Sequence, residues 1–174
     1  MRLAVFFYKK SPSFFLVYSI LIVLMKEEAI FGAGCFWGVE TKFGKVKGVV
    51  STEVGYSGGD TENPTYKQVC TNKTGHAEVV KVTFNPSILS FEELLEIFWD
   101  IHNPTTLNRQ GWDIGTQYRS VVFYRSEEQR SSAIKLKEKL DKSGKYKKPI
   151  VTEIFPAAEY YKAEEYHQKY HEKN

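Results

Sequence analysis

The chain has only two cysteines in 174 residues, Cys35 and Cys70, and none beyond position 70. Two are too few for a disulfide framework, and their spacing fits no zinc pattern; they read as one or two working thiols in a reducing compartment. No metal site and no organic cofactor are expected. An excess of charge of one sign is also lacking. The net charge is +3, and the lysines of "KLKEKLDKSGKYKK" are mixed with acids as on a solvated helix face. No basic stripe interleaves with stacking aromatics, so no nucleic-acid partner is expected. The chain shows neither an internal repeat nor a low-complexity linker. Its one long apolar run, "FFLVYSILIVLM" behind Arg2, Lys9 and Lys10, is short of a spanning helix and has no small-residue cleavage site after it. Residues 1–24 are expected to be a leader or upstream extension outside the fold, with Met25 opening a cytoplasmic protein; an exported or membrane-tethered form is the alternative.

The remaining length suits one domain, residues 25–174, with a real core. The hydrophobic share is ordinary at 42%, while aromatics reach 15%, a high share that points to a use for rings. Glu28 to Ala33 reads as a short buried strand, and the glycines that follow turn the chain into a helix over about Cys35–Phe43. Val46–Tyr56 is strand-like, and Ala77–Phe84 is a further strand, β-branched and ended by Asn85-Pro86. Ser90 and Glu93 form a capping box before a helix with Phe91, Leu94, Leu95 and Phe98 on one face. The stretch "NPTTLNRQGWDIGTQ" is a long loop of the functional kind, with Trp112 arguing for order. Tyr118–Tyr124 is a strand, Ser126 opens a long amphipathic helix, Ile150–Phe155 is an edge strand, and a polar, Tyr-rich tail closes the chain. The order strand, helix, strand, strand, helix, strand predicts an α+β two-layer sandwich with a ferredoxin-like, split βαβ core plus a C-terminal helix and tail.

The segment "GAGCFWG", residues 32–38, sets Cys35 between glycines and two bulky rings. At a helix start, unpaired amides and the macrodipole favour thiolate. A buried cysteine filling a gap beneath the sheet is the alternative. Phe36 and Trp37 cannot both face the core from adjacent positions, so one or both are expected to wall a pocket.

Taken together, "GCFWG", "GYSGG", "PTYKQVC", "GHAEVV", "NPTTLNRQGWDIGTQYRS" and "AAEYYKAEEYHQKY", in order across residues 27–171, resemble the peptide methionine sulfoxide reductase A family. The resemblance implies a thiol enzyme that repairs oxidised proteins by reducing methionine S-sulfoxide, protein-bound or free, on a ferredoxin-like frame. By motif, Cys35 is implied as nucleophile, Phe36 and Trp37 as holders of the substrate methyl group, and Glu78 as the acid near the sulfoxide oxygen. Tyr66 and Tyr118 are implied as hydrogen-bond donors to that oxygen, and Asp113 as the polar side of the pocket. Such chemistry needs these types independently: a sulfoxide oxygen leaves only when protonated, so a nucleophilic sulfur must be paired with an acid. Glu78 serves at neutral pH only if burial raises its pKa.

Each residue also has a plainer fate: Glu78 as a solvent-facing strand residue, Tyr66 and Tyr118 as half-buried phenols, and Asp113 as a turn former. His76 is either a base or, as favoured, a partner of nearby backbone. Many family members carry further cysteines near the C-terminus to attack the oxidised sulfur, and here the tail has none. Cys70 is favoured as a buried structural thiol over a resolving one. Recycling is therefore expected from an outside partner, thioredoxin or a glutathione- or glutaredoxin-type reductant, acting on a monomer. Three rival functions remain: a thiol peroxidase, a Cys-His hydrolase, and a non-catalytic domain binding peptides in its aromatic cleft.

Overall fold

The computed structural model describes residues 26–174, so the expected leader lies outside the described residues. Strand β1 (Glu27–Ala33) leads into helix α1 (Phe36–Gly44), then β2 (Val49–Ser57), the short helix α2 (Tyr66–Val69), β3 (Ala77–Phe84) and helix α3 (Phe91–Asp100). A two-stranded hairpin, β4 (Arg109–Gln110) and β5 (Asp113–Ile114), a 3-10 turn (Thr116–Tyr118) and β6 (Ser120–Tyr124) follow. Helix α4 (Glu127–Lys142), β7 (Glu153–Pro156), β8 (Tyr160–Lys162) and a last turn of helix, α5 (Tyr170–Lys173), complete the α+β fold.

Six strands form one mixed sheet in the order β7-β6-β1-β3-β2-β8. The β1–β3, β1–β6, β2–β3 and β2–β8 ladders are antiparallel, and β6–β7 is parallel. β1 and β3 are central, which explains their near-continuous apolar sequences. The main core joins Phe31, Val80, Val82 and Val122 of the sheet to Phe36 and Phe43 of α1, to Leu94, Leu95 and Phe98 of α3, and to Ala133 of α4. Helix α3 starts as its capping box dictates, with Ser90 Oγ accepting the Glu93 N–H and Glu93 Oε2 accepting the Ser90 N–H at 2.8 Å. The opposite face of the sheet carries a smaller cluster of Ile30, Ala77, Val79, Val121 and Phe123.

Several elements lie where the sequence puts them, including the edge position of β7. The hairpin, α2 and β8 were not legible. Trp112, expected to hold the loop after α3, is 94% exposed. Order there comes from hydrogen bonds, with Gln110 Oε1 accepting the Asn103 N–H at 3.1 Å and the Gly115 N–H reaching Asn108 O at 2.9 Å.

Candidate active site

Cys35 is the N-cap of α1, where β1 hands over to the helix. The turn requires Gly34, whose φ is +94° and where a Cβ would sit 2.7 Å from the Gln110 side chain. The close approach that glycine permits is therefore made by the β4–β5 hairpin. The amides of Trp37 and Gly38 lie near enough to the Cys35 sulfur to favour its anion, although the side chain makes no capping hydrogen bond. They do not yield a thiolate. Burial pushes the thiol from 9.0 up to about 11, the charges of Glu78 and Asp113 add to this, and the two amides offset only part. The expectation of a thiolate from the helix terminus alone is thus corrected: the resting group is a thiol.

Glu78 lies on central strand β3, directly across from Tyr56 of β2. Strand alternation puts it on the face of Val80, Val82 and Phe84, beneath α1 rather than toward solvent. Only 1% of it is exposed, and its Oε2 accepts the Phe36 N–H at 3.1 Å. Burial pushes the carboxyl up to about 7, Phe36 opposes this, and the charge of Asp113 reinforces it. A group that carries its proton near neutrality therefore stands beside the thiol.

Tyr66 opens α2 behind a Thr65–Gln68 capping box, and Tyr118 closes the 3-10 turn before β6. Both are half-buried. Burial pushes Tyr118 up to about 12, with the charge of Glu78 contributing. Burial raises Tyr66 further, helped by the neighbouring Cys70 and again by Glu78. Both phenols therefore keep their protons at any working pH. Asp113 is exposed on β5, at the rim rather than inside, though its charge reaches Cys35, Glu78 and Tyr118. Phe36 is fully buried, packed on Tyr56, while Trp37 is partly exposed.

Of two other expectations, that for His76 holds and that for Cys70 does not. His76 is buried, its Nδ1 accepting the Gly59 N–H at 3.1 Å and its Nε2 2.8 Å from Thr61 O, so both ring nitrogens serve backbone. Cys70 is not buried. It is an exposed thiol at the C-cap of α2, near the Tyr66 hydroxyl. The helix turn that presents Tyr66 to the site carries the thiol to the surface one turn later.

The C-terminal tail supplies what the sequence did not disclose. The Trp37 indole N–H donates to His167 Nδ1 at 3.0 Å, and its ring stacks on Tyr170 with centroids 3.7 Å apart. Glu164 accepts the Tyr56 hydroxyl at 2.9 Å and the Tyr66 N–H at 2.8 Å, tying α2 to the tail. Gln168 binds both backbone groups of Val54 at 2.9 Å, anchoring the tail to β2. His167 is 1% exposed and its Nε2 has no partner, 4.0 Å from Glu164 Oε2. Burial lowers its pKa. Accepting through Nδ1 likewise requires the neutral ring.

Among the described residues, neither His76, bound to backbone, nor His167, bound to the Trp37 indole, is placed as a base for the thiol. A thiol paired instead with a proton-bearing carboxyl on an α+β frame defines a thiol oxidoreductase rather than a Cys-His hydrolase. Residues 27–174 match the family model for peptide methionine sulfoxide reductase, and the chain belongs to that family. Its reaction is the reduction of methionine sulfoxide. It is 63% identical over 148 residues to peptide methionine sulfoxide reductase MsrA of Methanothermobacter thermautotrophicus, covering 85% of this chain and 88% of the relative. Among solved structures it resembles reduced Mxr1 of Saccharomyces cerevisiae, with a TM-score of 0.81, 39% identity and 86% of each chain covered. Mxr1 in complex with Trx2 aligns with a TM-score of 0.61 and 27% identity, covering 94% of this chain and 90% of that one. Among the described residues, no helix is long and apolar enough to cross a membrane.

Proposed function

We propose that Cys35 reduces the S epimer of methionine sulfoxide, free or in proteins, with Glu78 as the proton carrier. One observation carries this reading: the buried Glu78 carboxyl, held under the first turn of α1 by the Phe36 N–H and protonated up to about pH 7. The Cys35 sulfur attacks the sulfoxide sulfur while the Glu78 proton passes to the sulfoxide oxygen. Glu78, now ionised, takes the thiol proton, which removes the obstacle of a pKa of about 11. Glu78 then protonates the hydroxyl, the S–O bond breaks and water leaves, giving a Cys35–methionine thiosulfonium. Water attacks the Cys35 sulfur and gives its proton to Glu78, the S–S bond breaks with its electron pair going to methionine, and Cys35 is left as sulfenic acid, oxidised by two electrons as methionine is reduced by two. Tyr66 and Tyr118 donate to the oxygen as charge gathers, each contributing about 2–4 kcal/mol in the manner of an oxyanion hole. Trp37, the exposed member of the pair, takes the methyl group, with Phe36 buried against Tyr56, and Asp113 lines the polar rim.

Thioredoxin, or another small thiol reductant, then attacks the sulfenic acid, forms a mixed disulfide with Cys35 and resolves it. The complex of the yeast relative Mxr1 with Trx2 supports this partner class. Every group named comes from one chain, which suits a monomer. The order β6-β1-β3-β2, with helices on the face of the main core, supports a ferredoxin-like two-layer frame flanked by β7 and β8. We read residues 25–174 as one domain, and the free thiols as signs of a cytoplasmic location.

The test is one equivalent of each sulfoxide epimer added to reductant-free protein. The S epimer should release one methionine and leave Cys35 trappable by a dimedone-type probe. Methionine release without a trapped Cys35, or from Cys35→Ser, would remove Cys35 from the mechanism.

A further inference from the structure

We infer that the tip of the β4–β5 hairpin is a subsite for the peptide chain on either side of the oxidised methionine, recognising apolar neighbours through Trp112 and Ile114. The inference rests on the reading of Cys35 as the reducing thiol.

The hairpin is rigid. Gln110 pairs with Asp113, leaving a two-residue loop of Gly111 and Trp112. Gly111 has φ +61°, which suits the first loop position of a type II′ turn. The Arg109 side chain closes on Gly111 O at 2.7 Å, Thr106 Oγ1 holds Arg109 O at 2.6 Å, and Gln110 Nε2 reaches Asn103 O at 3.2 Å. On this tied frame Trp112 is 94% and Ile114 69% exposed. A large ring held in water on a rigid turn gains nothing in the free chain, and tryptophan is the residue most enriched where binding energy concentrates.

Its position names the occupant. The hairpin lies over Gly34, next to the nucleophile, and Asp113 between the two apolar side chains is close enough for its charge to act on Cys35 and Glu78. Only two methylenes separate the substrate's sulfur from its α-carbon. With the sulfur at Cys35, the substrate backbone must therefore run along the rim. Extended chain advances ~3.3–3.6 Å per residue, so neighbours one or two positions away reach the hairpin tip. Trp112 and Ile114 offer those positions apolar surface, which suits a substrate segment drawn from a former core, where methionine is mostly found and where its oxidation disrupts the packing. The segment presented is thus an apolar stretch of a locally unfolded protein.

Three S-sulfoxide substrates test this with dithiothreitol as reductant: the free amino acid, a peptide flanked by leucine and phenylalanine, and one flanked by glycine. Wild type should prefer the apolar-flanked peptide, and Trp112→Ser should lower its kcat/KM roughly tenfold while leaving the other two unchanged, with Ile114→Ser giving a smaller loss. An unchanged ratio between the peptides in Trp112→Ser would overturn the inference. So would an equal loss on all three substrates, which would place the hairpin in the chemistry. A loss seen only when a protein dithiol replaces dithiothreitol would overturn it too, assigning the surface to the reductant. Wild type that reduces none of the three would instead refute the underlying role of Cys35.

Discussion

Replacing Glu78 with glutamine keeps the shape of the side chain and an oxygen for the Phe36 N–H, but removes the proton. Burial holds the native carboxyl at about 7 against an ordinary 4.5, equivalent to about 3 kcal/mol in favour of the acid in the folded protein. The sign follows from that direction. Below about pH 4.5 Glu78 is protonated folded or unfolded, and its contribution to stability is complete. Between 4.5 and about 7 the unfolded chain ionises while the folded one keeps its proton, so stability falls as pH rises. Above that range both states are ionised and the loss stops. Glu78→Gln escapes the loss, so from about pH 5 to about pH 8 it should gain about 2–3 kcal/mol on wild type. In urea this moves the midpoint by roughly 1 M at an m-value of about 2 kcal/mol/M. The same variant should slow single-turnover sulfoxide reduction by roughly 10²–10⁴-fold near neutrality. It should also lack the wild-type decline in rate as pH rises past the carboxyl's titration. Parallel stability profiles for the two proteins would show that Glu78 ionises normally in its buried position. A single-turnover rate near wild type would give the proton to a phenol or a water instead.

His167→Ala removes the acceptor of the Trp37 indole and leaves a buried N–H unpaired, a cost of about 1–3 kcal/mol; we expect altered tryptophan fluorescence and a raised KM for methionine sulfoxide with a smaller change in kcat, and unchanged values of both constants would show that the tail does not hold the Trp37 wall. Cys70→Ser should turn over normally with dithiothreitol and with a thioredoxin, and wild type given one equivalent of sulfoxide should keep Cys70 free. A Cys35–Cys70 disulfide found by mass spectrometry would make Cys70 the resolving thiol.

What the sequence determined by itself is local. The β-branched run in "AEVVKVTF", the Ser90–Glu93 box and the glycines around Cys35 specify strand, helix start and turn through neighbours a few residues away, and the structure places these elements accordingly. The motifs also named the thiol and its acid. The tertiary structure decided the state and setting of those groups. The protonation of Cys35 depends on burial and on two carboxylates from β3 and β5, which outweigh the helix start that the sequence displays. Whether Glu78 faces water or α1 depends on its register against β1 and β2, since a slip of one residue would reverse every side chain on the strand. The fold also turned Cys70 outward and brought Glu164, His167 and Tyr170 back across 98 to 133 residues of chain to hold Tyr66 and Trp37. Contacts at that separation leave no periodicity for a sequence to show, because their energy is realised only when distant elements pack.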